Sequence, residues 1–198
     1  MGKRGITYKF EGVDYDSPEE TYLAMWLNEL KDKGYIKKWS RDTDSYLLTP
    51  PVYNTYTEGK KSKTQSILQD SKYTPDFIVY WEWKARRLFF NILNQDEKIK
   101  EPFIANNYVA KLPFSVVEVK PSFDRNNMTR LFRHIQKNLY HYNKIFVTQI
   151  NIEDLFEKTF TPALYLFTKT GKQRKITKWK VLSLEEFLKK NEQPKGFN

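Results

Sequence analysis

Tyr73-Thr74-Pro75-Asp76-Phe77, followed 42 residues on by Val117-Glu118-Val119-Lys120, is the pair of stretches that decides how this sequence is read. An aspartate beside an X-Pro turn and a Glu/Lys pair on a strand can converge at one sheet edge. Residues i and i+2 of a strand share a face, so Glu118 and Lys120 point together while Val119 points into the core. Two carboxylates and the Val119 carbonyl suit Mg²⁺, which takes oxygen ligands and keeps several waters. A lysine beside them can orient or deprotonate a water for attack on phosphorus, while the metal offsets charge growing on the phosphate oxygens.

The E-x-K spacing alone carries little weight in a lysine-rich chain. It recurs at Glu29–Lys31, Glu58–Lys60 and Glu82–Lys84, with an Asp version at Asp70–Lys72 and Asp96–Lys98. Only Glu118–Lys120 lies in a β-branched apolar strand preceded by a Pro-Asp unit on another strand, and Pro75-Asp76 is the only Pro-Asp in the chain. Glu82–Lys84 is the credible decoy, since it ends the strand that Asp76 begins.

Working outward, Ser17, Pro18 and Glu20 form a capping-box start, and Leu23, Trp26, Leu27 and Leu30 recur at helical spacing. This predicts a helix over Ser17–Lys33, stopped by Gly34. Residues 35–56 read as short strands broken by Pro50 and Pro51, 58–72 as an exposed polar loop with Lys60, Lys61 and Lys63, and Tyr73–Trp83 as a strand block. Residues 84–113 read as an insertion or extended hairpin, and 113–121 as a strand ended by proline. A second helix is expected from about Arg125 to Tyr142. Met128, Leu131, Phe132, Ile135 and Leu139 line one face, and Arg130, Arg133, His134, Lys137 and His141 the other. Lys144–Ile150 is another strand. ALYLFT (163–168) and KITKWKVL (175–182) suggest a basic hairpin, and Ser183 caps a last short helix. The order is that of an α/β core with a mixed central β-sheet flanked by helices.

The 198 residues suit one domain with an appended element. The division expected is a core over 1–150 and a C-terminal basic hairpin and short helix over 151–198. Thirty-four Lys and Arg against 24 Asp and Glu give +10, so the expected partner is a polyanion, nucleic acid first. No apolar run approaches the ~20 residues that span a bilayer, and no membrane partner is expected. The start, MGKRGITYKFEG, has no hydrophobic stretch behind it, so no signal peptide is expected and the reading is cytoplasmic. With no cysteine and two histidines, thiolate chemistry, Cys-ligated zinc and multi-histidine sites are excluded. There is no P-loop and no H-E-x-x-H motif.

A helix with an early glutamate, then T-P-D-F, V-E-V-K, a basic amphipathic helix and a strand, resembles the PD-(D/E)xK nuclease superfamily. DYDSPEETYLAMWLNELKDKGYIKKWSRD, YTPDFIVYW and VVEVKP are most similar to phage endonuclease I-type Holliday-junction resolvases and transposon-end cleaving endonuclease subunits. The resemblance covers roughly 14–150 and departs from the family at 84–113.

It implies a restriction-endonuclease-like core and a metal-dependent DNA endonuclease of phage-type DNA processing or recombination, acting on junctions or branched DNA in the host cytoplasm, often as a homodimer. Asp76 and Glu118 would bind Mg²⁺ or Mn²⁺, Lys120 would position the attacking water, and Glu20 would be an accessory ligand. Gln136 and Tyr140 echo the Q-x-x-x-Y element of exonuclease branches.

Each residue also has a plainer reading. Glu20 can close a capping box, Asp76 can cap a turn, Glu118 and Lys120 can be a solvated strand pair, and Gln136 and Tyr140 ordinary helix surface. Arg125, Arg130, Arg133 and Lys137 are candidate phosphate contacts beside the metal site, and Lys172, Arg174 and Lys175 a second DNA-binding group. The rival functions are a DNA-end exonuclease and a non-catalytic DNA-binding module.

Overall fold

The computed structural model describes residues 8–41, 43–93, 98–106, 112–121, 128–168 and 170–191, without the side chains of 128–130. Strands β1 (Tyr8–Phe10) and β2 (Val13–Tyr15) form an antiparallel pair leading into helix α1 (Pro18–Asp32). Ser17 has extended backbone, and its hydroxyl accepts the Glu20 N–H. Leu23, Ala24, Trp26, Leu27 and Leu30 are fully buried on one stripe. Gly34, at φ +73°, lets the chain turn back sharply, its N–H reaching the Lys31 carbonyl.

Next come β3 (Ile36–Ser40), β4 (Tyr46–Thr49), β5 (Val52–Glu58), β6 (Lys61–Leu68), β7 (Ser71–Tyr73), β8 (Phe77–Trp81), β9 (Phe90–Ile92), β10 (Phe103–Ala105) and β11 (Phe114–Val119). Helix α2 (Met128–Asn143), β12 (Val147–Ile150), α3 (Ile152–Lys158) and α4 (Leu184–Asn191) complete the described chain.

The central sheet runs β12-β11-β8-β3, with β11 and β12 parallel and the other pairs antiparallel. Its faces follow the period-2 rule. Phe77, Val79, Trp81, Val117 and Val119 pack with α1, while Ile78, Tyr80, Phe114 and Val116 pack with Phe132 and Leu139 of α2. The chain is thus α/β, a mixed sheet between helices. Alternation places Glu118 on the α2 face with Val116, and Asp76 there with Ile78.

Several expectations are corrected. Residues 58–72 are not a loop: β5 and β6 form a long antiparallel hairpin, all of it exposed. The described residues of 84–113 do not form an extended hairpin. β9 and β10 pair in parallel, and Phe89, Phe90 and Phe103 are fully buried. Phe103 stacks on Trp26 at 5.3 Å, and Phe90 on Trp81 at 5.3 Å. The Ile104 carbonyl accepts from Ser115 at 2.9 Å and from Thr148 at 3.2 Å, which ties the segment to the sheet.

Residues 163–182 do not form the basic hairpin. Among the described residues, a 3₁₀ turn (Ala163–Leu166) leads to the expected turn near Gly171, closed by the Phe167–Gln173 bridge, and then to an irregular return. The aromatic spacing serves packing instead, with Tyr165 and Trp179 against Phe156. Phe156, Phe160, Leu184 and Phe187 join the α1-side core. Ser183 caps α4, its hydroxyl accepting the Glu186 N–H. Leu131, read as core, is exposed, because α2 buries only the narrower stripe through Phe132 and Leu139.

Candidate functional site

Pro75 has no N–H for a sheet ladder, and β8 begins only at Phe77, opposite Val117 of β11. The turn before it is pinned by Thr43, whose hydroxyl donates to the Pro75 carbonyl at 2.7 Å, and by the Ser45–Thr74 hydroxyl pair at 2.6 Å. Beyond this point β11 continues on β12 alone, the Lys120 N–H donating to the Ile150 carbonyl. The Val119 N–H therefore lacks a strand partner on the β8 side. Asp76 supplies one: its Oδ2 accepts that N–H at 2.7 Å. The carboxylate thus sits where the two strands part.

Glu118 on β11 and Lys120 just past its end lie side by side, their side chains 13% and 15% exposed. The Lys120 ammonium donates to Glu118 Oε1 at 2.6 Å and lies 5.7 Å from the centre of the Phe132 ring, which brings α2 to the site. Glu118 Oε2 accepts from the buried Tyr73 hydroxyl at 2.6 Å. Glu20 accepts from the Ser17 hydroxyl at 3.0 Å and pairs with Arg41 at 2.8 Å. It is therefore held by the cap and an arginine together. Loss of the Ser17 hydroxyl, in Ser17→Ala, is expected to cost about 1 kcal/mol in urea denaturation; an unchanged midpoint would show that Arg41 alone fixes the helix start.

The charges leave one carboxylate exposed to its neighbours' repulsion. Glu118 is answered by Lys120 and Glu20 by Arg41, while Asp76 has no ion-pair partner among the described residues. Burial foremost, then the Glu118 charge, pushes the Asp76 carboxyl up to about 7. The Val119 N–H opposes this, Glu20 adds to it, and Lys120 draws it down. Burial and Glu118 also push the Tyr73 phenol far up, which keeps it a donor.

An all-oxygen donor set carrying uncompensated negative charge fits a hard divalent cation. Asp76 and Glu118 would hold it, supplied with waters, since the described residues contain no ready cluster of three carboxylate or imidazole ligands. Each Glu118 oxygen accepts one hydrogen bond, from Tyr73 or Lys120, and keeps a second lone pair for a metal.

Asp76, Glu118 and Lys120 are brought together as read, with Glu20 close enough for its charge to act on Asp76. The decoy is not at the site: Lys84, past the far end of β8, donates to the Lys33 carbonyl at 3.0 Å and covers the Tyr35 ring. Gln136 is a tie, its amide donating to the Val147 carbonyl at 2.7 Å. Tyr140 is exposed and lines a cleft of about 650 Å³ on α2 with Arg133, Lys137, His141 and Lys144.

Arg133 and Lys137 are exposed, as phosphate contacts require. Arg125 and the Arg130 side chain lie outside the described residues. Lys172 and Lys175 are exposed, whereas Arg174 lies over the Tyr165 and Tyr22 rings at 4.9 and 5.5 Å. Its guanidinium packs on both rings and is half-buried, unlike the exposed Lys172 and Lys175.

Two residues were missed. Tyr73 directly precedes the T-P-D turn, but nothing in sequence spacing says its hydroxyl reaches a strand 45 residues away. Arg41, one of many cations, packs over the Tyr15 ring and pairs with Glu20. No helix of the described residues is long and apolar enough to cross a membrane. Compared with protein-family models, curated proteins and solved structures, the chain has no significant match in any of the three.

Proposed function

We propose that this chain is a Mg²⁺- or Mn²⁺-dependent deoxyribonuclease of the PD-(D/E)xK type, an endonuclease of phage-type DNA processing with a restriction-endonuclease-like core. The observation that carries the reading is the Asp76 carboxylate at the parting of β8 and β11, bonded to Val119 beside the Glu118–Lys120 pair. The order α1, β3, β8, β11, α2, β12 supports it. Bound metal would supply charge neutralisation and an activated water. Asp76 and Glu118 would hold the cation, and Lys120, 5.7 Å from the Phe132 ring centre, would orient the attacking water. A homodimer would give a second site for the second strand. The exposed Arg133 and Lys137 on α2 would track phosphates.

A non-catalytic DNA-binding module is the second reading, favoured by one observation: each Glu118 oxygen already has a protein partner. The tie from Gln136 to the Val147 carbonyl counts against the exonuclease branch. Supercoiled plasmid, linear duplex, single strand and four-way junction, each with Mg²⁺, Mn²⁺ or chelator, distinguish them. Cleavage by wild type is expected to need metal and to fall at least ~100-fold in Lys120→Ala, the scale of a lost transition-state donor. Tight binding of every substrate with no cutting in either metal would replace the nuclease with the binding module.

A further inference from the structure

The β5–β6 hairpin has no role in the site chemistry, and its construction is unusual. Both strands are exposed along their whole length, at 7 and 8 residues. Among the described residues they pack extensively on each other, and no other element meets either strand more than sparsely. A lone two-stranded ribbon is marginal in water, and this one has no apolar face beyond its root to bury.

Its register sorts the side chains sharply. Asn54 faces Gln65, Tyr56 faces Lys63 and Glu58 faces Lys61 on one side, whereas Tyr53, Thr55, Thr57, Ser62, Thr64 and Ser66 share the other. The apolar residues Val52, Ile67 and Leu68 gather at the root. The tip holds Lys60, Lys61 and Lys63 against Glu58, which pairs with Lys63.

We infer that this hairpin is an arm that enters the major groove of duplex DNA with its amide and lysine face. A two-stranded ribbon fits a groove about 12 Å wide, and strands of this length reach about 25 Å. Lysines suit phosphates, while paired amides suit adenine edges. The chain's +10 charge gives the complementary sign. The root also places the arm beside the candidate site: β4 and β7 pair at its base, and Tyr73, ending β7, bonds Glu118. The inference rests on the nuclease proposal only for its DNA partner.

The test is fluorescence anisotropy with a labelled ~30-bp duplex in chelator. It compares wild type, Lys61→Ala/Lys63→Ala, Asn54→Ala/Gln65→Ala and the opposite-face control Thr55→Ala/Thr64→Ala, all at exposed positions and checked for folding by circular dichroism. Kd is expected to rise about tenfold or more in the first two pairs and to stay within about twofold in the control. The lysine pair should also lower the slope of log K against log salt by about 0.9 for each phosphate no longer neutralised.

Unchanged binding in the first two pairs overturns the arm. So does equal loss in the control, or a dimer-to-monomer change without loss of affinity, which would make a second copy the occupant. Wild type that binds through the arm but never cuts fails the nuclease and keeps the arm. Wild type that cuts while the arm variants bind normally does the reverse.

Discussion

Asp76→Asn is expected to lose metal-dependent cleavage by about a thousandfold while melting higher than wild type in chelator at pH 8. The amide oxygen can still accept the Val119 N–H, so the strand parting keeps its hydrogen bond. The charge is what disappears. In the unfolded chain this aspartate loses its proton near its ordinary 3.8, whereas in the fold burial and Glu118 hold the proton until about 7. Between those values the folded state binds more protons, so stability falls as pH rises through that window and then levels off. At about 1.36 kcal/mol per pKa unit the loss is roughly 4 kcal/mol.

The asparagine variant lacks that loss, and its Tm should exceed that of wild type by roughly 8–16 °C at pH 8 and converge with it near pH 4. Adding Mg²⁺ should stabilise wild type and leave the variant almost unmoved. An equal or lower variant Tm at pH 8 would mean that the carboxylate is not strained by its surroundings.

The largest expected loss of stability comes from Phe103→Ala, at about 3–5 kcal/mol. Phe103 has no exposed surface, stacks on Trp26 at 5.3 Å and meets Trp81 edge-on at 5.1 Å. Truncation leaves a cavity between α1 and the sheet that neither element can close. Urea denaturation measures it. A cost below about 1 kcal/mol would contradict the packing of Phe103 in the core.

The difference between those two sites tracks what was readable in the chain. α1 was legible because its cap, periodicity and glycine stop agree over a few residues. So was the β11 parity that puts Glu118 and Lys120 together, because alternation is local. The meeting of Asp76 with β11 needed only the assumption that two strands adjoin.

What was not legible depends on remote partners. Phe89, Phe90 and Phe103 announce burial, but nothing near them says that they face Trp26 and Trp81. KITKWKVL alternates like a strand, yet Trp179 is drawn to Phe156 and Tyr165, and no ladder forms. β6 read as part of a loop because Thr, Ser, Gln and Lys carry no hydrophobic signal, although its register with β5 is regular. Arg174 looked like a free cation because sequence does not reveal the rings beneath it.

The aromatic stacks of the core have an optical consequence. Trp26 and Trp81 are wholly buried and linked through Phe103, with Phe160 on the far side of Trp26 at 5.3 Å. These rings come from α1, β8, β10 and the segment after α3, so their mutual orientation exists only once all four are assembled. Coupled chromophores in fixed geometry give strong near-ultraviolet circular dichroism, and buried indoles emit toward the blue. The protein therefore carries its own spectroscopic gauge of completed tertiary packing, silent toward helix content alone.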